Sequence, residues 1–245
     1  MDAIKQSTRM LVFSAVIMLI ILATGPMGYK YSLVPLMPSL VSLLIALVGS
    51  MIVFIASLVY LFIASKSQLT KNRNMLLASL AICVLPMVVM GPQIIKARSV
   101  PPIHDITTDA ENLPTFQAIV KHRVHSPNTL EYGSKELPAA KLIALQLEAY
   151  PNVKPLETDL GVEEAVSRAE SVLESQGLKI VSTDVENGIV EATATTFWFG
   201  FKDDVVVRVL PSSTGSRIDL RSVSRVGQSD IGANAARIEK FLAAF

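Results

Sequence analysis

Cysteine and acidic residues are scarce in the first part of this 245-residue sequence. Cys83 is the single cysteine, so no disulfide can form within one chain and bridges say nothing about the redox compartment. Residues 1–98 contain 8 Lys and Arg but one acid, Asp2, whereas residues 99–245 contain 14 Lys and Arg and 20 acids. The acidic second part argues against a nucleic-acid partner, which would need a basic face.

Familiar catalytic motifs are also missing from the sequence. It contains no Gly-rich phosphate loop, no nucleophile elbow, no Cys/His pair and no HExxH zinc motif. The loop before the last predicted helix has a single glycine, Gly227, which is too few for a phosphate cradle of that kind. These absences favour a non-enzymatic protein, and we predict neither a cofactor nor a resident metal.

Three long apolar segments are present, at about residues 10–28, 40–64 and 75–95. As a helix with a rise of about 1.5 Å per residue, the middle segment exceeds the roughly 30 Å hydrocarbon core of a bilayer. The three segments carry no Asp, Glu, Lys, Arg or His, which argues against a transporter or channel. We therefore predict a membrane anchor over residues 1–98 that contacts lipids through three spans, and a separate domain over residues 99–245.

Basic residues near the span ends predict an orientation, because Lys and Arg are enriched on the cytoplasmic side. Two groups lie on opposite sides of the predicted spans: Lys5, Arg9, Lys66, Lys71 and Arg73 on one side, and Lys30, Lys96 and Arg98 on the other. The larger group predicts a cytoplasmic N-terminus and a domain outside the cytoplasm. In a bacterium, this would be a multi-pass inner-membrane protein with a periplasmic domain.

The second span has a line of small residues, Ser42, Ala46 and Ser50, at four-residue spacing. Small side chains allow another helix to approach closely. One interpretation is a contact with a second copy of the chain or with another envelope protein. Ordinary small-residue content in a transmembrane helix accounts for the pattern equally well.

The domain changes from helical to strand periodicity and back. Helices are predicted over residues 137–150, 160–176 and 230–245, and strands over residues 178–186, 189–199, 204–210 and 217–226. Asn187-Gly188 predicts a two-residue hairpin between the first two strands. The pattern is typical of an α+β domain, an antiparallel four-stranded meander with flanking helices on one sheet face.

A polar cluster follows the third span. His104, Asp105 and Asp109 combine one imidazole with two carboxylates, which could bind a metal in a metal-dependent or hydrolytic enzyme. The spacing is not diagnostic, and an extended segment whose side chains bond to nearby backbone is the simpler interpretation. His122 and His125 lie on a turn-rich stretch and are expected to be solvated.

A second candidate site lies at the end of the fourth strand. Arg221 and Arg225 precede a loop that leads through Ser229 and Asp230 into a helix start, and helix N-termini bind anions. This arrangement predicts an anionic lipid or a small anion as ligand. The alternative, which we favour, is that the arginines pair across strands with Asp203, Asp204 and Asp219.

The densest aromatic cluster is FWFGF, from Phe197 to Phe201. On the second strand, alternation sends Trp198 to one face and Phe197 and Phe199 to the other, so not all of them can enter one core. One set would then line a groove, meet the bilayer surface or contact a partner, unless both faces are covered.

Three stretches carry a family resemblance: PPIHDITTD, TFWFGFKDDVVVRV and RSVSRVGQSDIGANAARI. They resemble an uncharacterised bacterial family, the domain of unknown function numbered fourteen ninety-nine, over about residues 99–245. The preceding spans resemble one subgroup of that family. The resemblance implies a domain boundary near residue 99 and carries over no activity. Our leading hypothesis is a membrane-anchored, non-enzymatic binding or envelope-assembly module.

Overall fold

The computed structural model describes residues 2–66 and 70–245 of the chain. These residues form two compact units. The first unit comprises the chain up to Lys96 together with Trp198–Gly200, and the second comprises Ala97–Phe197 together with Phe201–Phe245.

The first unit is built from three long helices, α1 (Asp2–Lys30), α2 (Leu36–Lys66) and α3 (Thr70–Ser99). Each is long and apolar enough to cross a bilayer, which suggests a membrane protein. The predicted spans are therefore confirmed as helices. They extend beyond the apolar segments because the polar flanks, such as Lys66 and Lys96, continue the helical conformation.

The line of small residues on α2 lies within this unit. Ala46 and Ser50 are buried, and a Cβ atom at Gly25 of α1 would collide with the Ser42 hydroxyl. The close helix approach that small residues permit therefore occurs between α2 and α1 of the same chain.

Polar bonds join the three helices at two further places. The hydroxyls of Ser57 on α2 and Ser79 on α3 lie 3.0 Å apart, and Asn72 Nδ2 of α3 donates to Thr8 Oγ1 of α1 at 3.1 Å. These groups have no access to water in an apolar medium, so each bond satisfies two otherwise costly polar atoms.

The second unit contains one antiparallel sheet. Its strands are β1 (Asp105–Thr107), β2 (Leu156–Thr158), β3 (Lys179–Asp184), β4 (Ile189–Thr195), β5 (Lys202–Ser212) and β6 (Gly215–Ser224). The order is β1-β6-β5-β4-β3, and β2 pairs with the remaining length of β6 beside β1. The predicted meander is confirmed as β3 to β6. The two additional strands are three residues long, too short to show alternation in the sequence.

Three helices accompany the sheet: α4 (Ala139–Ala149), α5 (Val162–Ser175) and α6 (Ala233–Ala244), with a short 3₁₀ turn at Ile119–His122. All three were predicted with slightly wider bounds. The start of α6 falls three residues later than predicted because Ile231 and Gly232 have φ values of 54° and 72°. Left-handed backbone cannot belong to a right-handed helix.

Two details of the hairpins correct the sequence analysis. The pairing of Asp184 with Ile189 leaves a four-residue turn, residues 185–188, instead of the predicted two-residue turn. The Asp184 carboxylate stabilises this longer turn by accepting from the backbone N–H and side-chain amide of Asn187. The strand β4 ends at Thr195 and not at Phe199, so the aromatic cluster forms a turn, with Gly200 at a φ of 68°.

The two sheet faces are covered differently. Residues of α5 and α6 pack on one face in the main core, which includes Val166, Leu173, Val205, Val207, Leu220, Ile238 and Phe241. On the other face, Phe116 and Ile119 of the long segment between β1 and α4 pack against Val206 and Val223. We call this segment, residues 108–137, the cover segment.

Candidate functional site

One transverse row of residues crosses the sheet near one of its ends. The register pairs Asp105 with Val223, Val223 with Asp204, Asp204 with Thr193, and Thr193 with Lys179. At this end β1, β3 and β5 begin, while β4 and β6 finish. Because side chains alternate along a strand, the polar members of this row share the face that the cover segment lies on.

Asp204 is the centre of a buried ion-pair network on that face. Its carboxylate accepts from Arg123 Nη1 at 2.7 Å, from Arg225 Nε and Nη2 at 2.8 Å each, and from Thr193 Oγ1 at 2.7 Å. Burial acts to raise the pKa of Asp204, but these hydrogen bonds outweigh it and hold the pKa below its usual value. The pairing of Arg225 with an aspartate across strands, which the alternation favoured, is thus confirmed.

Arg221 is held by a second buried pair. Its Nε and Nη2 donate to the two carboxylate oxygens of Asp105 at 3.0 and 2.7 Å, and its guanidinium lies 5.7 and 5.5 Å from the ring centroids of Phe116 and Tyr132. Bidentate pairing and the contacts with two aromatic rings fix the guanidinium in place. Burial raises the pKa of the Tyr132 hydroxyl.

Asp109 also binds arginine. Its Oδ2 accepts from Arg217 at 3.0 Å and Arg208 at 3.3 Å, and its Oδ1 accepts from the backbone N–H groups of Glu111 and Asn112. The carboxylate therefore turns the chain after β1 and ties the cover segment to β5 and β6.

The polar cluster that follows α3 is not assembled into one site. His104 Nδ1 lies 3.4 Å from the carbonyl oxygen of Gln228, whereas Asp105 and Asp109 bind different arginines. His104 and Asp105 border a pocket of about 250 Å³ whose apolar wall includes Leu142. Within residues 2–66 and 70–245, no group of three or more His, Cys, Asp or Glu is arranged to hold a metal ion.

The start of α6 binds a carboxylate of the chain itself. Asp230 accepts from the backbone N–H groups of Gly232 and Asn234 at 2.7 Å each, and Ser229 Oγ accepts from the N–H of Ile231 at 3.2 Å. Burial raises the pKa of Asp230. An external anion at this helix start would have to displace the Asp230 carboxylate.

A polar layer joins α6 to the sheet on the opposite face. Asn234 Nδ2 donates to the Ser224 hydroxyl and to the carbonyl of His104, while Arg237 donates to Ser222 Oγ and, at 2.7 Å, to Asp203 Oδ2. Together with the pairs of Arg221 and Arg225, this layer gives structural roles to most polar residues of the RSVSRVGQSDIGANAARI stretch.

Glu191 is a buried residue that the sequence analysis missed. Its carboxylate accepts from three successive backbone N–H groups, those of Gln117, Ala118 and Ile119, at the start of the 3₁₀ turn. A glutamate on a strand with alternating polarity gives no sign of such a role, because the partner lies 72 residues away in a segment without regular pattern.

A basic groove lies beside the transverse row, next to the end of the 3₁₀ turn at His122. It has a volume of about 490 Å³ and is bordered by His122, Lys179, Thr193, Lys202 and Arg225, together with Ile180, Val181 and Thr195. No acidic side chain borders it among the described residues. We call it the basic groove.

The cations of the basic groove differ in how they are held. Arg225 is fixed by Asp204, and its Nη1 donates to the carbonyl of His122 at 3.1 Å. Lys179 and Lys202 are exposed and form no ion pair in the described part of the chain. The groove thus combines one preorganised guanidinium with two exposed ammonium groups, a set that suits an anion.

Of these residues, Arg225 was predicted from the sequence as a ligand candidate, and the two lysines were not. Lys179, Thr195 and Lys202 come together only through the register, which places Lys202 opposite Thr195 and Lys179 opposite Thr193. A correct β5 start at Lys202 would have shown this proximity, but the prediction began that strand at Asp204.

Comparison with known proteins identifies a family. A family model described as a protein of unknown function (DUF1499) matches residues 105–245, which include the whole sheet and the basic groove. No curated protein and no solved structure matches the chain.

Proposed function

The chain belongs to the DUF1499 family, and we propose that it is a membrane-anchored, non-enzymatic binding domain whose basic groove takes an anionic ligand. The carboxylates that a metal-dependent enzyme would use, Asp105 and Asp109, already bind Arg221, Arg208 and Arg217. Their geometry supports a scaffold more than a reaction centre.

The observation that carries this proposal is the unbalanced charge of the groove. Lys179, Lys202 and Arg225 border it with no acidic side chain among the described lining residues, and the buried carboxylate of Asp204 faces two arginines. A concave site lined by one sign of charge concentrates field lines and attracts the opposite charge.

The size and build of the groove agree with a small ligand. Its volume of about 490 Å³ falls in the range of roughly 300–1,000 Å³ that is typical of small-molecule sites. The Thr193 hydroxyl is engaged by Asp204, so direct contacts to the ligand would come from the lysines, Arg225 and the exposed Thr195.

We also propose that the domain is periplasmic, in a bacterial inner membrane, with the N-terminus in the cytoplasm. The distribution of basic residues around the spans supports this orientation. Fusions after Phe245 test it: we expect an alkaline phosphatase fusion to be active and a green fluorescent protein fusion to show no fluorescence. A fluorescent and phosphatase-negative pair would reverse the orientation.

A thermal melt of the full-length chain in micelles of zwitterionic detergent tests ligand binding. Inorganic phosphate should raise the melting temperature of the domain in a saturable way, since a ligand that binds only the folded state stabilises it. Chloride at the same ionic strength controls for screening.

Two charge reversals sharpen the test. Lys202→Glu should abolish the response to phosphate, whereas Lys154→Glu, an exposed lysine outside the groove, should retain it. If phosphate has no more effect than chloride on the wild-type chain, or if both variants respond alike, the proposal is wrong.

A further inference from the structure

A second basic groove lies on the opposite face of the same end of the sheet. It has a volume of about 370 Å³ and is bordered by Gln176, Thr195, Thr196, Arg237 and Lys240, among others. Thr195 borders both grooves. The two grooves therefore meet around the last residue of β4 instead of forming two isolated sites.

The cations of the two grooves form one band across the end of the sheet. We call this band the basic end: Lys179, Lys202, Arg225, Arg237 and Lys240. No Asp or Glu borders either groove within the described ranges. The two arginines do form buried ion pairs, Arg225 with Asp204 and Arg237 with Asp203. One small anion would contact a single groove, whereas an array of anions could contact both faces of the end together.

An exposed aromatic residue lies at the same place. Phe197, in the turn that joins β4 to β5, is 83% exposed. Lysines beside an exposed aromatic side chain are the composition of segments that lie at membrane interfaces, where the ring enters the headgroup region and the ammonium groups meet phosphates. Binding of a small anion from solution would not require an exposed aromatic ring at this position, whereas contact with a membrane interface would.

A short connection links this end of the sheet to α3. Residues 100–104 link the last residue of α3 to β1, and β1 begins in the transverse row that ends at Lys179. A connection of this length reaches about 20 Å when fully extended. The connection therefore limits how far β1 can lie from the end of α3 to about 20 Å.

We propose that the basic end docks on the anionic headgroups of the bilayer that holds the spans, with Phe197 in the interface. This inference rests on the proposed function, since the basic groove supplies part of the surface, and it adds the source of the anion: phosphate groups of a lipid surface. Each lysine or arginine near such a surface contributes to the attraction, which weakens as salt is added.

Hydrogen exchange of the full-length chain in lipid nanodiscs tests the docking. Discs of phosphatidylcholine alone are compared with discs in which part of it is replaced by phosphatidylglycerol, and a third sample adds inorganic phosphate to the phosphatidylcholine discs. Peptides covering residues 176–182 and 196–204 should exchange more slowly in the phosphatidylglycerol discs. Removing one lysine should reduce this protection about fivefold.

The variants separate the two proposals. Lys240→Glu alters only the second groove, so it should reduce protection in anionic discs while leaving the response to phosphate unchanged; Lys202→Glu should reduce both, and Lys154→Glu neither. Unchanged exchange of the β6 amides at residues 217–221, which pair with β5, confirms that each variant is folded.

Protection by inorganic phosphate alone, with no added effect of phosphatidylglycerol, would overturn docking and leave the proposed function in place. Protection in anionic discs that Lys202→Glu and Lys240→Glu both leave intact would also overturn it. If neither phosphate nor phosphatidylglycerol slows exchange, both proposals are wrong.

Discussion

The two faces of the sheet are stabilised by different chemistry, although the same strands form both. Adjacent residues of β5 show the contrast: Val205 packs in the main core with α5 and α6, whereas Asp204 binds two arginines on the face of the cover segment. The apolar face gains stability in proportion to the area it buries. The charged face depends on complete pairing, because a buried charge that loses its partner is strongly destabilising.

The largest effect is expected from breaking the ion-pair network. Asp204→Ala would leave Arg123, whose side chain is 4% exposed, and Arg225 without their shared carboxylate. We expect a loss of about 3–5 kcal/mol in the free energy of unfolding. Hydrogen exchange of β5 amides in the full-length chain measures this loss for the domain alone.

The neighbouring residue provides the matched comparison. Val205→Ala removes apolar contacts on the other face of the same strand and should cost about 2 kcal/mol. If Asp204→Ala costs no more than Val205→Ala, the buried charges are weaker contributors than the pairing suggests.

A smaller effect is expected at Glu191. In Glu191→Gln, a neutral amide with one acceptor oxygen replaces a carboxylate that accepts three backbone N–H groups. The expected cost is about 2 kcal/mol, confined to the cover segment. Limited proteolysis should cut residues 108–137 faster than in the wild type. Glu157→Gln, at an exposed position of β2, is the control and should leave the rate unchanged.

Acid should affect the charged face and spare the apolar one. Burial acts to raise the pKa of Asp204, but its hydrogen bonds outweigh burial and hold the pKa below the usual value. An aspartate in the unfolded chain has a pKa of about 3.9. The stability that Asp204 contributes is therefore present above about pH 4 and is lost as the pH falls through the folded pKa.

The pH dependence of two stability differences measures this loss. The difference in free energy of unfolding between the wild type and Asp204→Asn should shrink below about pH 4, while the difference for Val205→Ala should stay constant. A constant Asp204→Asn difference from about pH 6 to pH 3 would show that the carboxylate is not held ionised by its partners.

The smallest effect on stability is expected at the exposed lysines of the basic groove. Lys202→Glu should change the free energy of unfolding by less than about 0.5 kcal/mol, because its side chain makes no ion pair in the described structure. A large destabilisation would give Lys202 a structural role and would weaken its use as a probe of ligand binding.

Much of the fold could be predicted because its signals are local. Long uncharged apolar runs predicted α1 to α3, and alternation over six or more residues predicted β3 to β6. Strands β1 and β2 were missed because three residues cannot show a period. The late start of α6 depends on the left-handed backbone of Ile231, a β-branched residue whose conformation tertiary packing decides.

The candidate site was less predictable because it is assembled from distant segments. Alternation favoured pairing of the arginines with Asp203, Asp204 and Asp219, and Arg225 does pair with Asp204. The groove additionally requires the register that places Lys179 opposite Thr193, and the 3₁₀ turn that brings His122 to its border. Neither is encoded in a short stretch of sequence.

Anomalous X-ray scattering from bound tungstate, a heavy analogue of phosphate, would test the anion-binding claim most directly. In crystals of the full-length chain soaked with tungstate, we predict an anomalous peak between Lys179, Lys202 and Arg225, within hydrogen-bond distance of at least two of them. A basic groove without a peak, in crystals where it is open to solvent, would contradict the account.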